Sequence, residues 1–309
     1  MTAVPFPATN TVPKRRRRSA GQHQSIMGYV FVLPSLALFF LFTLIPAVLA
    51  FGLSFTNYDI LSRTKFVGTD NYVRLADDAL FWLTMRNVGT YVALYVPLMI
   101  LLSLCIALAL NRRLPGMRIY RTLFYIPVIT SPIAASTIWI WLLQKDNGLI
   151  NKGLELFNIP PRAWLFNPDT AMLAIVLVTL WQGFGSNMVI YLAGLQGIPQ
   201  ALYEAAKIDG AGRGALFRWV TWPSLRTTTF FVLTTSLIGA FQLFDQSYAM
   251  TRGGPGNATR TPVFQIWETG FNRLKMGYAS SQAFTLFLVI LFITIINLRV
   301  NREDAAELS

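Results

Sequence analysis

Six stretches of the chain run without a single charged side chain: 25–58, 87–111, 122–144, 170–203, 227–244 and 276–298. A helix needs about 20 predominantly apolar residues to cross the hydrocarbon core of a bilayer. Each run meets or approaches that length and is bounded by charge. Trimming the two longest predicts spans at about 27–51, 88–110, 122–144, 171–192, 227–244 and 276–298. In a soluble protein such runs are buried core helices, and six of them would need far more polar chain to cover them. Hydrophobic residues make up 54% of the 309 and charged residues only 13%, against about 25% charged in an ordinary soluble domain. The expected fold is therefore an all-α membrane protein with six transmembrane helices. Residues 1–25 are expected as a disordered basic tail, 26–300 as the membrane domain and 301–309 as a second short tail.

Charge settles which way the spans face. Lys and Arg gather on the cytoplasmic side of membrane proteins. With the N-terminus inside, that side holds fifteen basic and five acidic residues, and the other side eleven and nine. The 111–121 loop weighs most, carrying Arg112, Arg113, Arg118 and Arg121 and no acid. Six spans put both termini in the cytoplasm. The net charge of +12 thus belongs to topology, and nucleic acid is not an expected partner. The run Lys14-Arg15-Arg16-Arg17-Arg18 reads as a topogenic anchor beside lipid headgroups, with a lipid-specific or nucleic-acid patch as the sharper alternative. The apolar stretch after it exceeds a signal-peptide core of about 7–15 residues, so it is expected to stay as the first span.

Several spans carry prolines: Pro34 and Pro46, Pro97, Pro127 and Pro132. Each frees a backbone carbonyl that neighbours or water must satisfy, a weak pointer to helices bent around a cavity. No predicted span holds an internal ionisable residue, which disfavours a proton-driven carrier, although sodium coupling through backbone carbonyls would survive. No G-x-x-x-x-G-K-[ST] loop is present, so no ATP site is visible. Gly210, Gly212 and Gly214 have no Lys-Ser/Thr pair after them and read as turn glycines. His23 is the single histidine and Cys105 the single cysteine, which rules out an intramolecular disulfide and a Cys-based metal site. No nucleophile–base set or paired carboxylate lies in the spans, so no catalytic centre and no bound cofactor are expected.

The strongest signal lies at 199–223. Pro199 can open a helix and Gly210 can close it in a left-handed cap. At 100° per residue, Leu202, Ala205 and Ala206 share one face and Tyr203, Glu204 and Lys207 the other, with Asp209 at the end. A second short helix is expected with Leu216, Phe217, Trp219 and Val220 on one side and Arg218 and Thr221 on the other. It should stop near Pro223, because the residue before proline disfavours helix. Two amphipathic helices joined at a glycine make either a projecting docking element or an interfacial helix lying on headgroups.

Glu204-Ala205-Ala206, then Asp209-Gly210-Ala211, then Phe217 and Pro223 resemble the EAA loop of permease subunits of bacterial binding-protein-dependent ABC importers. Val220 and Trp222 depart from the usual residues by apolar exchanges. The likeness extends to Ser54-Phe55-Thr56-Asn57-Tyr58-Asp59, Phe66-Val67-Gly68-Thr69-Asp70-Asn71-Tyr72, Tyr191-Leu192-Ala193-Gly194-Leu195 and Arg252-Gly253-Gly254-Pro255-Gly256. Together these are similar to the MalF-like member of a permease pair in carbohydrate uptake, with a type I importer fold.

The resemblance implies a second related permease, two ATPase subunits that use ATP and Mg, and an extracytoplasmic solute-binding protein. It also implies that 199–223 is a cytoplasmic coupling loop, in which Glu204 offers a charged contact and Gly210 the turn. Family relatives carry disaccharides, oligosaccharides, polyols or glycerol phosphate, and the binding protein largely chooses among them. A self-sufficient secondary sugar carrier is the alternative, disfavoured by the empty spans, and a membrane-embedded enzyme comes third.

Sugars present apolar C–H faces to aromatic rings and hydroxyls to amides. Candidates for the solute path are therefore Trp181, Gln182, Asn187, Tyr191, Phe241 and Gln242, with the competing reading that buried amides glue helices together, worth about 0.6 kcal/mol apiece, and that Trp and Tyr mark the interface belt. Residues 245–275, rich in Gly and Thr, either receive the binding protein or merely connect spans. Asn257-Ala258-Thr259 fits a glycosylation sequon, a reading that fails in a bacterial chain.

Overall fold

The computed structural model describes residues 31–59, 63–112 and 115–306, with side chains to residue 300. The basic run at 14–18, His23 and the last three residues lie outside the described residues. The chain forms two units, divided after Gly52.

Helix α1, Phe31–Leu53, supplies the described part of the first unit as far as Gly52; it has 23 residues, and its most apolar 18-residue stretch has a mean hydropathy of 2.5. It widens into a π turn at Phe40–Leu44, where the Ile45 N–H donates to the Phe40 carbonyl. Pro46 follows directly. Proline removes a donor and crowds the carbonyl four residues back, and a wider turn just before it relieves that crowding.

The second unit is built on two long helices, α3 at Ala79–Leu110 and α7 at Pro168–Gln196, with α2, Asp70–Ala76, ahead of them. Asp78 starts α3 by accepting from the Leu80 and Phe81 N–H groups at 3.0 and 3.1 Å, a side-chain N-cap. At 32 residues α3 is about 48 Å long by helical rise, longer than the roughly 30 Å hydrocarbon core. Val96, Ile175, Val178 and Leu243 form one buried cluster, and Leu104, Ala107, Met188, Leu225 and Val232 another. Helix α7 lies at the centre, with 56% of its apolar window buried, against 6% for α13, Met276–Ala306.

The stretch expected as a single span at 122–144 is instead two helices, α4 at Met117–Ile129 and α5 at Pro132–Leu142, set at 95° to one another. Thr130 and Ser131 between them are extended, with ψ of 140° and 133°. Pro132 explains the break, since it drives the residue before it out of the helical region and then starts the next helix at its first turn. A carbonyl freed at such a break needs a partner. The Gln182 amide supplies one, donating to the Thr130 carbonyl at 2.9 Å.

After α6, Leu149–Glu155, and α7 come the short α8, Gln200–Ile208, α9, Arg213–Leu216, and α10, Trp222–Ser224. The run expected as a span at 227–244 is α11, Arg226–Phe241, which stops after 16 residues, and the short α12, Pro262–Trp267, follows before α13. Among the described residues four helices are long and apolar enough to cross a membrane, five if the bent α4–α5 pair is one span.

Two of the sequence motifs clasp one another. The Asn71 amide donates to the Ser54 and Thr56 carbonyls, both at 2.8 Å, and the Ser54 and Tyr72 hydroxyls meet at 2.7 Å. Gly277 closes the clasp, its N–H bonding the Tyr58 carbonyl at 2.9 Å. A Cβ there would lie 2.1 Å from the Thr56 carbonyl oxygen, so only glycine lets the start of α13 approach this closely.

Candidate functional site

Helix α8 owes its length to its ends. Pro199 precedes it in an extended conformation, with ψ of 128°. At the other end Gly210 is left-handed, with φ of +82°. The Gly210 N–H bonds the Lys207 carbonyl at 3.0 Å and the Ala211 N–H the Ala206 carbonyl at 2.9 Å. That pair of bonds is a Schellman cap, which satisfies the last carbonyls without help from the rest of the protein. Asp209 is the residue just before the turn.

Only one side of α8 touches the chain. Tyr203 and Ala206 face inward, and the Tyr203 hydroxyl meets the Thr221 hydroxyl at 3.0 Å. Leu202, Glu204, Ala205, Lys207 and Ile208 are exposed, Ile208 at 86%. The two faces of the helical wheel do not coincide with the covered and exposed sides. Tyr203 and Thr221, expected on polar faces, point into the protein, while Leu202 and Trp219, expected on apolar faces, point away at 49% and 72% exposure. Glu204 accepts from the Gln200 amide at 2.9 Å and pairs with no cation among the described residues.

The second helix does not stop before Pro223. After α9 the chain widens into a π turn at Phe217–Thr221, the Trp222 N–H reaching the Phe217 carbonyl, and Pro223 sits in the first turn of α10. This is the arrangement that precedes Pro46 in α1. Phe217 rests against Trp222 with ring centroids 6.3 Å apart.

The solute-path candidates separate. Gln182 and Gln242 line a cavity of about 290 Å³ together with Tyr91, Tyr95, Asp245 and Gln246. Tyr91 and Tyr95 stack with centroids 5.0 Å apart and an interplanar angle of 15°. Gln182 accepts from the Gln246 amide at 2.9 Å while donating to Thr130, so one side chain ties the α4–α5 break, α7 and the segment after α11. The other four candidates pack between helices. Trp181 meets Trp139 edge-on at 5.6 Å, and the Asn187 amide reaches the Ser236 hydroxyl at 3.3 Å. Tyr191 is fully buried in the lower cluster and Phe241 lies against Val88 and Leu286. The sequence reading missed Tyr91 and Tyr95, whose four-residue spacing on one apolar helix was a usable signal, and Asp245 with Gln246, which follow an apolar run directly.

Residues 245–275 are a braced structure. The Ser247, Thr259 and Thr261 hydroxyls each donate to a backbone carbonyl at 2.6 Å. The Asn87 amide donates to the Asn257 and Arg260 carbonyls at 2.7 and 3.0 Å. Arg260 donates to Gln265 at 2.7 Å and pairs with Glu268. Burial, and then the nearby Arg273, hold the Arg260 pKa below its usual value. Among the described residues no group of His, Cys, Asp and Glu could hold a metal ion.

The chain matches, over residues 88–303, the family described as binding-protein-dependent transport system inner membrane component. It is 37% identical over 277 residues to the probable ABC transporter permease protein YesP of Bacillus subtilis, covering 88% of this chain and 89% of that protein. It is 33% identical to the lactose transport system permease protein LacF of Rhizobium radiobacter, covering 93% and 98%. The fold is shared with a crystal structure of a bacterial alginate ABC transporter in complex with an alginate pentasaccharide-bound periplasmic protein. There the TM-score is 0.81 at 20% identity, covering 93% of this chain and 98% of that one. A chain of apolar helices that matches this family over most of its length is a transport component rather than an enzyme, and it belongs to the binding-protein-dependent inner membrane components of ABC transporters.

Proposed function

We infer that the chain is the MalF-like permease subunit of an ATP-driven carbohydrate importer, working as a pair with a second, related permease. Six spans are assigned, with the bent α4–α5 pair as the third and α11 as the fifth, and both termini in the cytoplasm. The distribution of Lys and Arg supports this orientation. Helix α8 with its following turn is the cytoplasmic coupling element. Two ATPase subunits, which use ATP and Mg, bind below, and a solute-binding protein docks on the opposite side, against residues 245–275.

The observation that carries the reading is the state of α8. It is capped by its own backbone and held to the chain by Tyr203 and Ala206, while Leu202, Ile208 and the neighbouring Trp219 are exposed. Exposed apolar side chains rimmed by polar ones mark a docking surface. Closure of an ATPase dimer on ATP would move this helix and, through Leu225 and α11, the spans behind it. Such a ligand shifts the transporter between states only through its different affinity for each. The cavity beside Tyr91, Tyr95, Gln182 and Gln242 suits a sugar, with stacked rings for C–H faces and amides for hydroxyls.

The test is Glu204→Lys in the assembled transporter. Solute uptake should fall by an order of magnitude or more, while ATP hydrolysis and the amount of protein in the membrane are retained. Disappearance of the protein from the membrane would sink the coupling assignment and make the loop a structural element.

A further inference from the structure

Beside the end of α3, the start of α4 and α8, the structure forms an open groove of about 490 Å³. Arg112, Arg121 and Lys207 line it, with Gln196, Gln200 and Tyr203. No carboxylate is among the described residues that line it. The nearest acid on α8 is Glu204, held by Gln200.

Topology explains why the loops carry positive charge, but it is indifferent to how the charges are arranged. Three cations, from the end of α3, from α4 and from α8, lining one groove is a separate fact, since like charges brought together repel. Arg121 adds a second observation. One Nη donates to the Leu110 carbonyl at the end of α3 at 3.0 Å. Its Nε is buried with no hydrogen-bond partner among the described residues. A shielded guanidinium N–H without an acceptor costs free energy until an acceptor arrives, and arginine forks match phosphoryl oxygens well.

We propose that this groove is a phosphate-group site, with Arg121 as the anchoring fork and Arg112 and Lys207 as the flanking charges. Its ligand is either an anionic lipid headgroup or a free phosphate; both present the same oxygens. The site draws on the end of α3, the start of α4 and α8, so an occupant ties α8 to the cytoplasmic end of α3. The lipid source rests on the cytoplasmic placement inferred above. Binding itself does not, so the site is tested without transport.

The full chain, purified with whatever subunits accompany it in a non-ionic detergent, is titrated with phosphatidylglycerol, phosphatidylcholine or inorganic phosphate. Retained ligand is read by native mass spectrometry and protection by thermal unfolding. Wild type should bind phosphatidylglycerol or phosphate and not phosphatidylcholine, the first assigning a lipid site and the second a soluble anion. Arg112→Gln with Lys207→Gln should weaken binding by about 25-fold, at about fivefold per cation at an anionic surface. Arg121→Gln is a second variant, kept apart because it also uncaps α3. If the double variant unfolds at the wild-type temperature yet binds both anions as wild type does, the proposal is overturned. Equal binding of phosphatidylcholine, or no binding by wild type, overturns it as well.

Discussion

Residues 199–224 and 245–275 both connect long helices, yet they keep their shape by opposite means. The second is held by side chains that reach across it: three hydroxyls on carbonyls, the Asn87 amide on two more, and Arg260 between Gln265 and Glu268. The first is held by its own backbone, with the Gly210 cap and a π turn, by side-chain bonds between residues four or five apart, and by one hydroxyl pair, Tyr203 with Thr221, that links its helices. It leaves Leu202, Ile208 and Trp219 uncovered. One connection is braced by the rest of the chain, and the other carries exposed apolar side chains that the coupling role proposed above would cover. Substitutions in the two should therefore fail differently, one in stability and the other in coupling.

The largest effect on folding is expected at Glu268→Gln, which leaves the mostly buried Arg260 charge unpaired. Breaking such a pair costs about 3 kcal/mol or more, to be read as a lowered unfolding midpoint in detergent and less protein in the membrane. An unchanged midpoint would erase the contrast between the two connections. Gly210→Asp comes next. A non-glycine residue in the left-handed conformation costs about 1–2 kcal/mol, which a chain anchored elsewhere tolerates. Uptake should fall about tenfold or more while protein level and ATP hydrolysis persist, measured side by side in membrane vesicles; a proportional loss of protein would place the loop with its counterpart. Gln182→Ala removes the donor to Thr130 and the acceptor for Gln246, at about 0.6–1.7 kcal/mol. The expected result is weaker uptake at unchanged assembly, and undiminished transport would exclude the cavity from the solute path. The smallest effect belongs to Tyr203→Phe, which deletes the hydroxyl pair for about 0.5–1.5 kcal/mol. Thermal unfolding should shift slightly, with hydrogen exchange rising across 200–224 only.

Much of this was readable from residue order. Long charge-free runs place α1, α3, α7 and α13, because the requirement for about 20 apolar residues is one of length and composition. Gly210 announces its own conformation, since few residues accept it. The right-angle break at Thr130 was less legible. Pro127 and Pro132 signal a disturbance, but whether a proline bends a helix or ends it depends on who satisfies the freed carbonyl, and Gln182 lies 52 residues away. Which side of α8 faces the chain was not legible for a related reason. A wheel separates apolar from polar residues but does not say what covers either, and Leu202 is apolar and turned outward. Beyond Leu216 the π turn adds a residue to the helical period, so Thr221 falls on a face that an ideal wheel does not give it. The pairing of the Ser54 to Asp59 and Phe66 to Tyr72 motifs was visible as two neighbours in sequence, and only the Asn71 amide reveals them as one clasp.

The Gln246–Gln182–Thr130 relay also constrains biosynthesis. Its two bonds close intervals of 64 and 52 residues. A ribosome that has delivered α7 to the membrane has already made Thr130 but must extend the chain past α11 before Gln246 exists. Until then the Gln182 carbonyl lacks its protein partner, in a medium where an unmet polar group is costly. Helix insertion and the closing of the relay are therefore separate events in time, and chains halted between residues 182 and 246 would carry the break in α4–α5 without the bond that fastens it to the last third of the molecule.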